Sequence, residues 1–491
     1  MLSKNLRIIC LFFYFTLITS TTLIMLKVYK MMQEGATVVD SVEKTSIPLH
    51  IISYVDDNLI VRHFDRTKTV TTMMEKIKEN IGEWQKLLQL TGGDLTLDKC
   101  KVTVMKWYQN GEWGRIKLKK PIDDKLQVTS IKNKTQVETL ERLNPHDAER
   151  VLGIRLPLDG SMKTEFEFRK QQLKEFCVSL YKSPLTQKEA YIAYQSRYKS
   201  ISTYPYTVTT FTTKELAEIQ KDALNLLLPK LGINWHMPRT VLFGSKELGG
   251  REIMDLQIEQ PVSSIKTTLG HLRRNDKVAK LLLATLYDLQ IEVRREIQVF
   301  KLNPDDYGYV TENTRWLYMW KMIYEFQLDI QWFKMWVPKP QYENDRNIMQ
   351  IAIEDPLYQG RNKYKLKTIN QCRLYQRAFF ISDLQDANDP TKMNKMYLNG
   401  DMQRTTNRYN IPTTFKPTKL QWNEWRAFIY RNCLAKIYEI TPPLHHPIPD
   451  KPIQLDEKTQ LQDGLKIKNS DRHDTFLTNN TTTNCWNNYN K

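Results

Sequence analysis

The run from Leu49 to Val61 reads Leu-His-Ile-Ile-Ser-Tyr-Val-Asp-Asp-Asn-Leu-Ile-Val, an apolar stretch broken in its middle by two adjacent acids. Strand-forming residues on both sides and a polar interruption between them predict a hairpin with Asp56 and Asp57 at its tip. Two carboxylates would then be held together on one turn. Such neighbours raise each other's pKa unless a cation or a proton separates the charges. Magnesium meets that need with oxygen ligands and commonly shares a carboxylate pair with substrate phosphates. The dipeptide alone decides little, because Asp-Asp recurs at 123–124 and 305–306 among Pro, Lys, Asn and Tyr, where a solvated loop is the plain reading. Only the first pair is flanked by strand formers.

The neighbouring sequence extends the pattern. Met73, Met74, Ile77, Ile81, Trp84, Leu87 and Leu88 recur at helical spacing and predict an amphipathic helix over about 69–90. Thr91-Gly92-Gly93-Asp94-Leu95-Thr96-Leu97-Asp98-Lys99-Cys100 then makes a glycine turn leading into a strand around Val102 and Val104. After a basic, hairpin-like stretch, Arg150-Val151-Leu152-Gly153-Ile154-Arg155-Leu156 predicts a short apolar strand with glycine inside it. In this order the pieces resemble the palm of a reverse transcriptase, an RNA-directed DNA polymerase, from its catalytic hairpin onward. Tyr54-Val55-Asp56-Asp57 looks like the family's Tyr-x-Asp-Asp turn. The stretch from Thr91 to Cys100 looks like the glycine-to-lysine segment that follows it, and Val151-Leu152-Gly153-Ile154 is similar to the Leu-Gly primer-grip strand. Tyr204-Pro205, Pro229-Lys230-Leu231-Gly232-Ile233-Asn234 and Gly270-His271-Leu272-Arg273 are similar to the retrotransposon forms of the enzyme.

The resemblance implies an α+β fold and a set of roles. Asp56 would ligate magnesium and Asp57 would be a second ligand or orienting acid, with two metals about 4 Å apart promoting nucleotidyl transfer. Tyr54 and Val55 would lie near the primer end or template base. Lys99 would donate a proton to the departing pyrophosphate or screen its charge, and Gly153, with Arg155 beside it, would let backbone approach the primer. The partners implied are an RNA template and a DNA primer, or their hybrid, in the nucleus or cytoplasm, with no small-molecule cofactor. The chain also departs from the family. Fewer than sixty residues precede Asp56, too few for fingers and an earlier palm strand bearing another essential aspartate. Val38-Val39-Asp40 imitates such a strand, yet the short link to Tyr54 favours an acid at the end of a linker. The expectation is an incomplete metal site and no polymerase activity from this chain alone.

Ile8 to Leu26 carries no charge and follows Lys4 and Arg7, which suits a membrane anchor, a signal peptide or a misjoined gene segment. Residues 1–30 are therefore set apart from a partial palm over 31–160. Over 161–260, apolar periodicity from Met162 to Tyr181 and capping boxes at Thr186–Glu189 and Thr212–Glu215 predict a thumb-like bundle of about three helices, stopped by Gly232. Lys170, Lys174, Lys182, Lys188, Arg197 and Lys199 would there contact phosphates or simply coat solvated faces. A helix-rich connection over 261–341 holds Trp316 with Trp320 and Trp332 with Trp336, four apart, which favours core packing over base stacking. Residues 342–450 mix strand-like pieces, such as 374–384, with a helix around 422–438. Asp383, Asp386 and Asp389 sit there in loop-like sequence and make no ribonuclease H site. Pro442 to Pro449 reads as a stiff linker, and 451–491 as a disordered polar tail.

Lys+Arg 72 against Asp+Glu 55 leaves +17, a surplus that favours polyanionic partners. The six cysteines lie far apart with no C-x-x-C pair, which argues against a disulfide framework or a zinc site, and His445-His446 has no companion ligands. Two other functions stay open beside the polymerase reading: a noncatalytic basic module that binds nucleic acid, and a membrane-tethered protein.

Overall fold

The computed structural model describes residues 7–14, 36–49, 51–54, 57–64, 69–89, 93–104, 107–110, 115–118, 126–131, 137–144, 146–293, 295–308, 314–330, 336–340, 342–386, 388–401, 416–440 and 467–468. The fold is mixed α+β and mostly helical, with small sheets. Its first part contains β1 (Arg7–Tyr14), a hairpin of β2 (Ala36–Val39) and β3 (Ser46–Leu49), and a hairpin of β4 (Ile51–Tyr54) and β5 (Asp57–Phe64). Helix α1 (Val70–Gln89) follows, then β6 (Lys101–Val104), β7 (Trp107–Asn110), β8 (Arg115–Leu118), β9 (Leu126–Thr129) and β10 (Val137–Leu143).

Six of these strands form one sheet in the order β4-β5-β1-β6-β10-β9. Within it, β6, β10 and β9 make a mixed trio, β10 running parallel to β6 and antiparallel to β9. The apolar stripe predicted for α1 is the face that covers this sheet. Met73, Ile77, Ile81 and Trp84 are buried against Ile60 of β5, Val102 of β6, Leu126 and Val128 of β9 and Leu140 of β10. The uncharged amino-terminal run contributes β1, a strand at the sheet's interior, antiparallel to both β5 and β6. Among the described residues no helix is long and apolar enough to cross a membrane.

The segment expected as one strand around Gly153 is instead a hairpin, β11 (Ala148–Val151) paired with β12 (Ile154–Pro157). Leu152 and Gly153 both have positive φ, at 49° and 83°. That pair of angles makes the tight two-residue turn whose twist suits a hairpin, and a glycine at its second position removes the steric cost there.

Beyond it, α2 (Lys163–Lys182) packs on α5 (Thr213–Lys230), and both predicted capping boxes are formed, at Thr186 with Glu189 and at Thr212 with Glu215. Between them α3 (Gln187–Ala193) passes through a π-helical turn, Tyr194–Tyr198, into α4 (Lys199–Thr203). After α6 (Arg239–Phe243), α7 (Leu256–Arg274) and α8 (Lys277–Val293) lead through α9 (Pro304–Tyr307) and α10 (Arg315–Glu325). Then come α11 (Ile348–Glu354), α12 (Leu366–Gln376), α13 (Met396–Asn399) and α14 (Lys419–Asn432). A single buried cluster runs from Ile265 to Ile437, across the boundary expected near 341. Trp316 and Trp320 are sealed in it, with their indole N–H groups donated to Leu282 O and Leu302 O at 2.9 and 2.8 Å. Trp332 lies outside the described residues, and Trp336 packs against Tyr287. The stretch 374–384, expected as strand-like, is the end of α12 followed by a short 3-10 turn. The tail, apart from 467–468, and His445 and His446 lie outside the described residues.

Candidate functional site

The β4–β5 hairpin forms, with Tyr54 opposite Asp57, so Asp57 is the first residue of β5. Val55 and Asp56, between them, lie outside the described residues, as do Asp123 and Asp124. Antiparallel pairing of β1 with β5 sets Tyr14, the last residue of β1, opposite Asp57. On the other side of β1, Phe12 is opposite Lys101, the first residue of β6. Lys99 ends the 3-10 turn Leu97–Lys99 just before that strand and is exposed. The sheet therefore gathers Tyr54 and Asp57, the end of β1 and the Lys99 turn at one of its ends. No residue from Arg7 to Tyr14 is acidic, so β1 brings no carboxylate to that end.

The β11–β12 hairpin is joined to the same end. Lys101 Nζ donates to Glu149 on β11 at 2.8 Å and lies 3.4 Å from Glu141 on β10. Its tip is held by three side chains that sequence reasoning missed. Arg169 on α2 donates to the Gly153 carbonyl at 2.9 Å, Tyr204 donates its hydroxyl to the Leu152 carbonyl, and Glu165 accepts from the Arg155 amide at 2.8 Å. Glu165 and Arg169 are themselves an ion pair one helical turn apart, 0% and 6% exposed at their side chains. A carboxylate and a guanidinium at i and i+4 amid Phe166 and Leu173 was the available signal, since charged residues are buried together when they pair. The Arg155 guanidinium lies over the Phe168 ring, 3.2 Å from its centroid.

The remaining candidates divide. Lys170 is bonded to Glu218 on α5 and lies 3.8 Å from Asp222, and the Glu218 bond holds its pKa above the ordinary lysine value. Lys174 and Arg197 are exposed, and Lys199 lies over the Tyr194 ring at 5.6 Å. Asp40 is buried in the β2–β3 turn, where it accepts from the Val42 and Glu43 amides at 2.8 and 2.5 Å. Burial raises its pKa against the lowering effect of those two bonds. It shapes a turn, as a linker acid would. Asp306 pairs with Lys363, and Asp383 accepts from the Phe379 and Phe380 amides, so both serve local structure.

No protein-family model matches the chain, and no curated protein matches it.

Proposed function

We propose that the chain is a retroelement-derived reverse transcriptase fragment. Its sheet is a partial palm, the 161–260 helices correspond to a thumb, and the parent enzyme would carry out RNA-directed DNA polymerisation. The observation that carries this reading is the convergence on one sheet end of the Tyr54–Asp57 hairpin and the Lys99 turn, in the order the resemblance requires. The carboxylates of Asp56 and Asp57 are hard oxygen donors suited to magnesium. Magnesium, when bound, would stabilise charge on a transferring phosphoryl group. Lys99, exposed beside β6, would screen the leaving pyrophosphate. The β11–β12 tip would present backbone to a primer, and the Arg169 and Tyr204 bonds keep it rigid. On this reading β1 adds no acid, and the described residues alone would not polymerise without a further carboxylate at that sheet end.

A second reading, a noncatalytic basic module that binds RNA–DNA hybrid, is favoured by the exposed Lys174, Lys182, Lys188 and Arg197. Hybrid binding measured with and without magnesium, for the wild type and for Asp56→Ala with Asp57→Ala, separates the two. The polymerase reading expects magnesium to strengthen binding and the double substitution to abolish that gain. Binding indifferent to both changes selects the module. Magnesium-dependent primer extension that disappears in Asp56→Ala would show the chain to be active alone.

A further inference from the structure

The eight residues of β1 have two incompatible uses. In the sheet they pair with β5 from Arg7 opposite Phe64 to Tyr14 opposite Asp57, and with β6 from Ile9 opposite Val104 to Phe12 opposite Lys101. Strands β5 and β6 are each bonded to β1 and not to one another, so among the described strands β1 alone hydrogen-bonds to both the β4–β5 hairpin and the mixed trio β6-β10-β9, while α1 packs across the two. All of these residues but Arg7 open the uncharged run Ile8 to Leu26, whose length and composition suit a bilayer core. In hydrocarbon a backbone group cannot be left without a partner, so a lone segment there has to make its hydrogen bonds within itself as a helix. A strand in this sheet makes all of its bonds to other segments.

We propose that a lipid surface and the sheet compete for residues 7–14. Insertion into a bilayer empties the slot between β5 and β6 and divides the sheet, while docking of β1 withholds the segment from lipid. Lys4 and Arg7 on one flank and Lys27 on the other give the segment cationic ends that favour anionic headgroups. The inference concerns the backbone pairing of β1 and stands whether or not the sheet belongs to a polymerase.

The test is amide hydrogen exchange on the full chain, free and with phosphatidylcholine vesicles containing phosphatidylserine. Free chain is expected to protect β5 and β6. In the vesicle-bound fraction, exchange in β5 and β6 is expected to rise at least tenfold, while β9, β10, α2 and α5 stay as protected as before. Bound chain that keeps β5 and β6 protected overturns the proposal, since attachment would then spare β1. A chain that does not bind the vesicles at all also overturns it, since β1 would then be a permanent strand.

Discussion

Gln85 and Gln260 carry the same amide into two interiors, one under the sheet and one among the helices. Gln85 on α1 is 3% exposed and accepts from the Ile131 amide at 2.8 Å, while its Nε2 has no hydrogen-bond partner. Gln260 on α7 is fully buried and uses every site: it accepts from Thr209 and the Phe211 amide and donates to the Phe211 carbonyl and the Tyr318 hydroxyl. Gln220 and Gln290 repeat the device, each donating to loop carbonyls and accepting from the first amide of the helical turn that follows. The sheet region tolerates a half-used amide at its edge. In the helical region Gln220, Gln260 and Gln290 are joints between elements, although Gln376 in α12 leaves its Oε1 without a partner. Sensitivity to substitution should therefore concentrate among the helices, although the proposed chemistry sits on the sheet.

The largest effect is expected at the junction of the two regions. Glu165→Ala leaves Arg169 buried without its carboxylate and frees the Arg155 amide, at a cost of about 4 kcal/mol, which chemical denaturation would measure. Gln260→Leu, nearly isosteric, orphans its four partners and should cost about 3 kcal/mol, whereas Gln85→Leu should cost about 1 kcal/mol or less. Equal losses at the two positions would break the comparison. Asp345 supplies a pH test confined to the helices. Burial raises its pKa to about 6, against the opposing bonds from Ser382. The folded state thus holds a proton that the unfolded chain releases near the ordinary aspartate value, so stability should fall as pH rises between about 4 and 6, by up to ~3 kcal/mol. Asp345→Asn should flatten that slope in thermal melts. Gly153→Ala should cost about 1 kcal/mol, because a Cβ there meets only the Tyr204 ring at 3.5 Å and the penalty is the φ of 83°. Smallest is Tyr198→Phe. Its hydroxyl is buried in the π-helical turn without a partner, so removing it should leave stability unchanged or raise it by up to ~1 kcal/mol.

Local signals carried much of the fold. The acid-centred hairpin, the α1 stripe and both capping boxes were legible because each depends on residues within a few positions of one another. The strand β1 was not, since a strand with neighbours on both sides and a bilayer span both call for an uninterrupted apolar run. The end of α12, within the 374–384 stretch, was misread for the opposite reason. Asn370, Arg373 and Gln376 are buried in the helix and break the apolar period, held by contacts such as Arg373 with Asn370 and Gln376 Nε2 with the Tyr397 carbonyl, while Gln376 Oε1 has no partner. At the candidate site, motif order alone proposed the acids and Lys99. The clamp on the 152–153 turn depended on Tyr204, some fifty residues away, which no local pattern reveals.

The position of β1 also sets a timetable for synthesis. Emerging ahead of both strands that border it, β1 waits for about ninety further residues before β6 has left the ribosome. At translation rates of roughly 5–20 residues per second that is about 5–20 s before both neighbours are present, with β5 following after about fifty residues. Any chaperone or targeting factor that captures nascent apolar segments has that interval in which to act, and the slot closes behind it.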